Sequence, residues 1–140
     1  MDDTDYKYTV LLVDDEKLIR FTMSALLKKS EFNVETAESV AEAIELYKNK
    51  EFDAVISDIL MTPMDGFMLR DLIRARDQEI PIIFQTSLVN GIDNELMSRI
   101  SADPYSYYIP KNANKEVLIN KLKQVTKISH ALHSLREHEE

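Results

Sequence analysis

Four acidic residues, a threonine and a lysine are the side chains of this chain whose types and spacing could do chemistry as a set. Asp14, Asp15 and Glu16 directly follow one short apolar run, and Asp58 stands just past another, after Ser57. Carboxylates brought within a few ångströms of one another push at least one pKa upward unless a cation sits among them. An all-oxygen donor set suits a hard, octahedral divalent ion, so the cluster implies Mg²⁺. Read separately, Asp14 and Asp15 are also what the N-cap and acidic first turn of a helix look like. Thr86 ends a further apolar run, where its hydroxyl could donate to an oxygen of a phosphoryl group on Asp58; alone it reads as a β-branched strand residue or a helix cap. Lys111 follows the last run and could set an ammonium against the same oxygens as a compact point charge; alone it is a solvated turn lysine. Together these positions supply a carboxylate nucleophile, a bound metal, a hydroxyl and a cation around developing phosphoryl charge, the parts of an acyl-phosphate site.

The elements that must bring these residues together are legible as a repeat. Apolar runs at 8–13, 32–34, 54–56, 82–84 and 107–109 alternate with longer segments of helical period, as in five successive βα units. The first helix is expected at 17–29, with Ile19, Met23, Leu26 and Leu27 on one face. Ser39 with Glu42 three residues on is a capping box opening the second, whose stripe is Val40, Ala43, Ile44 and Tyr47. Leu69, Leu72 and Ile73 mark a third helix after Gly66, where a free φ would help the turn. A shorter fourth is expected at 93–100, and a fifth from about Asn114 carries Leu118, Leu122 and Val125. Nearly continuous apolar strands imply a parallel sheet covered on both faces through right-handed crossovers. The expected fold class is therefore α/β, a flavodoxin-like doubly wound (βα)5 with a five-stranded parallel sheet in the order 2-1-3-4-5. In that order the first and third strands are neighbours, and a site forms where their carboxyl ends meet.

Composition narrows the class of protein further. The net charge of −8 disfavours binding of nucleic acid or anionic membrane by this segment, because phosphate contacts need clustered Lys and Arg. No apolar run approaches the about 18 residues of a membrane span, and the acidic start is unlike a secretory signal, so a cytoplasmic protein is expected. The absence of cysteine excludes disulfides and thiolate chemistry.

The segments LLVDDE and SDILMTPMDG, with Thr86 and Lys111 after the fourth and fifth strands, resemble the receiver domains of response regulators over about residues 6–125. The resemblance implies that Asp58 is phosphorylated by a histidine kinase, a phosphotransfer protein or a small phosphodonor. It implies that Asp14, Asp15, Asp58 and the backbone carbonyl of Leu60 hold Mg²⁺, and that Thr86 and Lys111 contact the phosphoryl group. It also makes Tyr108 the aromatic that turns inward as Thr86 moves, changing the surface of the fourth helix, fifth strand and fifth helix; a half-buried strand tyrosine is the plainer reading. Such a domain is a switch, not an enzyme, catalysing only its own phosphorylation and dephosphorylation. Two departures stand out. The family's Lys-Pro with its cis bond is here Pro110-Lys111-Asn112, so the cis bond has moved to Ile109-Pro110 or been lost, and the 92–105 stretch lacks the usual small residues. The inversion motivates the alternative, a pseudo-receiver acting only as a protein-interaction module. An aspartate-nucleophile hydrolase would want an acid where Leu60 stands, and an FMN carrier would want a phosphate loop. Neither Leu60 nor Leu88 can orient a water, so slow self-dephosphorylation is expected.

Residues 126–140 read as a C-terminal helical extension in which Ile128, Leu132 and Leu135 continue the stripe, a coiled-coil linker to an output domain or a homodimer contact. Spacings of three, five and eight among His130, His133 and His138 do not suit chelation from one helix, and they read as exposed helix histidines.

Overall fold

The computed structural model describes residues 7–87 and 91–139, with side chains to residue 135. Five strands, β1 (Thr9–Val13), β2 (Asn33–Ala37), β3 (Ala54–Asp58), β4 (Ile82–Gln85) and β5 (Ser106–Tyr108), form one parallel sheet in the order β2-β1-β3-β4-β5. Helices α1 (Lys17–Lys29), α2 (Val40–Asn49), α3 (Gly66–Arg74), α4 (Asn94–Ser101) and α5 (Lys115–Glu139) follow the strands in turn. The expected flavodoxin-like arrangement is the one observed, and Leu88 lies outside the described residues. None of the described helices is long and apolar enough to cross a membrane.

Alternation along the strands divides the core in two, since successive side chains point to opposite faces. Leu11, Val13, Val55, Ile82 and Phe84 join a cluster with residues of α2, α3 and α4. Val10, Leu12, Ala54, Ile56 and Ile83 join another with Leu27 of α1 and Leu118, Leu122 and Val125 of α5.

Several expectations shift. β2 runs on to Ala37, because Glu35 and Thr36 need be only half-buried on an edge strand, and β3 runs on to Asp58, which becomes its last residue. β5 is displaced by one, with Ile109 N–H still donating to Phe84 O at 3.0 Å. Ser39 accepts from Glu42 N–H at 3.2 Å as its spacing predicted, while the Glu42 carboxylate reaches Glu38 N–H. On α3 the buried face is Gly66, Leu69, Arg70 and Ile73, so Leu72, 44% exposed, leaves the stripe and a cation enters it. Gly66 does not use a positive φ: the positive-φ glycine is Gly91. A Cβ at Gly66 would instead lie 2.5 Å from Asp58 O, so a close approach of backbones requires the glycine there. The cis bond among the described residues is Thr62–Pro63; Ile109–Pro110 is not cis.

α5 passes residue 125 without a break. Beyond it Thr126 and Ser129 are buried, and Thr126 Oγ1 donates back to Leu122 O at 2.6 Å, a local bond that bends helices. His130 is half-buried, its ring edge-on to Tyr8 at 5.7 Å, and so is not the exposed histidine its spacing suggested. His133 is exposed; the side chain of His138 lies outside the described residues. Ile128 and Leu135 stay exposed on the extension, whereas Leu132 is half-buried.

Candidate functional site

The tips of β1, β3, β4 and the loop after β5 meet at one end of the sheet. Parity decides which side chains meet there. Asp14 and Asp58 continue the Val10–Leu12 and Ala54–Ile56 side, that of α1 and α5, while Thr86 continues the Ile82–Phe84 side. Asp14 is 2% exposed and Asp58 6%. Lys111 joins them: its Nζ is 2.8 Å from Asp14 Oδ2 and donates to Asp58 Oδ2 at 3.2 Å. The Pro110-Lys111 inversion thus leaves the ammonium in the site, helped by Lys111 N–H donating to Thr86 O at 3.3 Å.

Local bonds fix the rest. Asp14 Oδ1 accepts from Glu16 N–H at 2.9 Å in the turn before α1, whose N-cap is Glu16 and not the Asp14-Asp15 pair, while the other Asp14 oxygen faces Lys111. Asp58 Oδ1 accepts from Leu60 N–H at 3.2 Å, which leaves Oδ2 as the oxygen on the ammonium side. Arg20 donates to Asp14 O at 2.8 Å and ties α1 to the same tip.

Burial pushes the Asp58 carboxyl above the usual aspartate range, and the nearby Asp14 charge adds to this against the opposing influence of Lys111 and the Leu60 amide. Burial works against the Lys111 charge as well, but its hydrogen bond to Asp14 and the charge of Asp58 outweigh it, and the pKa is raised. The ammonium is therefore the resident counter-cation of two buried carboxylates.

Asp14, Asp15 and Glu16 place one carboxylate oxygen each within 4.8 Å of one another. Asp15 and Glu16 are exposed and Asp14 is buried, a partly open, all-oxygen donor set of the kind a hard divalent ion takes. Glu16 belongs to this cluster, as the run Asp14-Asp15-Glu16 suggested, although the family resemblance did not include it among the metal ligands. Leu60 comes to the site by its amide, with its side chain 53% exposed. Thr86 is 2% exposed and its Oγ1 is the one buried side-chain oxygen or nitrogen among the described residues with no hydrogen-bond partner. A buried hydroxyl without a partner is costly and marks a place where an acceptor is missing. Tyr108, half-buried against the Phe84 cluster, pairs with Phe84 in the sheet, and burial raises its pKa.

A five-stranded parallel sheet with acidic tips on two adjacent strands and a lysine bridging them defines the receiver class of regulator. The response regulator receiver domain model matches residues 10–123, and the chain belongs to that family, the receivers of two-component systems. The chain is similar to the gliding motility regulatory protein of Myxococcus xanthus, 31% identical over 119 residues covering 84% of this chain and 15% of that one. It is also 27% identical to response regulator MprA of Mycobacterium sp. (strain KMS), over 81% of this chain and 48% of that protein, so it spans about half or less of these relatives. Among solved structures, chemotaxis protein CheY4 of Vibrio cholerae superposes with a TM-score of 0.78 at 30% identity, covering 86% of this chain and 99% of that one.

Proposed function

We propose that this domain is a phosphorylated switch in which Asp58 Oδ2 takes a phosphoryl group from the phosphohistidine of a histidine kinase or phosphotransfer protein. The observation that carries this reading is the single Lys111 ammonium held between Asp14 and Asp58. The Asp58 carboxylate attacks phosphorus, the phosphorus–nitrogen bond to the donor imidazole breaks, and that nitrogen recovers a proton. Lys111 meets the charge of the transferred group, and Thr86 Oγ1 gains the acceptor it lacks. Asp14, Asp15 and Asp58, with the Leu60 carbonyl, would hold Mg²⁺, a reading supported by the oxygens of Asp14, Asp15 and the neighbouring Glu16, which lie within 4.8 Å of one another. When bound, the ion supplies charge neutralisation at the phosphoryl oxygens.

Chemistry ends on the protein itself, so the domain turns over no external substrate other than the phosphodonor. The added charge, about −1.5 to −2, biases Thr86 and Tyr108 and with them the surface of α4, β5 and α5. The relatives' names fit a regulator whose output lies in a further domain or a separate partner, and the exposed Ile128 and Leu135 of the 126–140 extension offer the contact for an output domain or a second copy. Acidic charge and the fold agree with a cytoplasmic switch that binds neither nucleic acid nor membrane through this domain. The pseudo-receiver reading loses its motive, because Lys111 reaches both carboxylates despite the inverted proline. Intact mass after acetyl phosphate and Mg²⁺ tests the proposal. One phosphoryl unit should add to the wild type and none to Asp58→Asn, and equal gain in both would overturn it.

A further inference from the structure

α3 carries a buried cation that the phospho-acceptor site does not use. Arg70 is 9% exposed, and among the described residues no carboxylate pairs with it. Its guanidinium donates instead to the carbonyl oxygens of Arg99 at 2.8 Å and Ile100 at 3.3 Å, in the last turn of α4, and to Ser106 Oγ at 3.1 Å, where β5 begins. The rings of Phe67 and Phe84 lie 5.2 and 5.5 Å from it. One helical turn on, Arg74 donates to both carboxylate oxygens of Asp103, at 2.6 and 3.1 Å, in the link from α4 to β5.

The last carbonyls of a helix have no intrahelical donor and carry the negative end of its dipole. A planar guanidinium can serve two neighbouring carbonyls at once, which a lysine ammonium does less well. Burial lowers the Arg70 pKa, so the charge is held at a cost that these acceptors and the helix end offset. α3 is itself seated on the site, since Gly66 at its start abuts the Asp58 carbonyl. One rigid helix thus touches the phospho-acceptor strand at its start and grips the output helix along its length.

We propose that Arg70, supported by Arg74, clamps the C-terminal end of α4 to α3, so that α4 is fixed at residues 99–103 and rearranges on phosphorylation by pivoting there, its Asn94 end moving. The clamp stands without the phospho-acceptor reading; the pivot rests on it. Arg70 is a positioning residue, and Asp58 chemistry does not pass through it.

Amide exchange and chemical shifts by ¹⁵N NMR, on the full chain, test both halves. Ala102 N–H donates to Ser98 O and Asp103 N–H to Ile100 O at the clamped end, while Val55 N–H donates to Pro81 O in the sheet as a control. Arg70→Met should speed exchange at Ala102 and Asp103 about tenfold or more, with Val55 within about twofold, and Arg70→Lys should fall between. Unchanged Ala102 and Asp103, or Val55 rising equally, overturns the clamp; if Arg70→Met does not fold, Arg74→Gln and Ser106→Ala must each speed Ala102 or Asp103 selectively, or the clamp is wrong. For the pivot, wild type with acetyl phosphate and Mg²⁺ should shift amides of residues 94–98 and leave 99–103 in place. Shifts as large at 99–103 overturn it. The mass of the same sample separates the two readings: no phosphoryl gain removes the phospho-acceptor proposal and the pivot together, while the exchange data still decide the clamp.

Discussion

Lys111→Met removes the one cation between two buried carboxylates and keeps most of the side chain's length. The lysine side chain is 10% exposed, Asp14 3% and Asp58 6%. An exposed ion pair contributes at most about 1 kcal/mol, whereas breaking a buried one costs about 3–5 kcal/mol, because a charge is left without a partner. Burial this complete selects the second regime. Protonation of a carboxylate at the strand tips limits the damage, so the lower end, about 3 kcal/mol, is expected, a fall in Tm of roughly 10 °C for a chain of this size. The pH dependence follows from the two pKa directions. Lys111 is raised, so its contribution is fully present below the ordinary lysine pKa and is lost only as pH climbs through the higher folded value. Asp58 is already raised by burial, and losing the lysine raises it further, so its penalty is full above the folded pKa and fades as pH falls toward the ordinary aspartate value. The deficit of Lys111→Met should therefore shrink between pH 8 and pH 5. Thermal melts with EDTA at several pH values measure this, and Mg²⁺ should stabilise the variant more than wild type, since no ammonium competes for Asp14 and Asp58. Adding Asp58→Asn to Lys111→Met should recover part of the loss. A variant melting within about 2 °C of wild type in EDTA at pH 8, or a deficit that grows toward pH 5, would refute the reasoning.

Thr86→Val replaces a buried, unpartnered hydroxyl with a methyl group, so resting stability should stay level or rise by up to about 1 kcal/mol in urea unfolding, while phosphorylation no longer perturbs the Tyr108 resonances. Leu60→Asn brings an amide beside Asp58 that can orient water, and phosphate release followed by mass should be several-fold faster than in wild type; slower release would contradict the expectation that hydrolysis lacks a water-orienting group at Leu60. Gly66→Ala drives a Cβ to 2.5 Å from Asp58 O, so chemical denaturation should show a loss of about 2 kcal/mol or more and acetyl phosphate labelling should slow.

Strand order and the acidic tips could be read from the chain because both rest on local patterns: apolar runs separated by helical periods, and Asp14-Asp15 and Asp58 placed just where runs end. α1 came out at its expected bounds because its apolar face is in phase from Ile19 to Leu27. α3 did not, since a periodicity scan treats arginine as a solvent-facing residue, and only the carbonyls of α4 and two phenyl rings, distant in sequence, make a buried Arg70 tolerable. Lys111 was ambiguous for a related reason: counting along the chain cannot tell which face a residue takes just past a strand end, and its contacts to Asp14 and Asp58 are long-range. The need for Gly66 was legible but its cause was not, because nearness to the Asp58 carbonyl is a property of the packed βα unit.

The division of the sheet by parity has one more consequence. Asp14 and Asp58 continue the strand face packed under α1 and α5, with Lys111 bridging them, while Tyr108 packs in the cluster that α4 joins. The molecule therefore has two separate outsides served by one wall of strands. Under the proposed function, a phosphodonor and a responding partner can occupy opposite flanks together, and the message between them crosses a thickness of a single sheet.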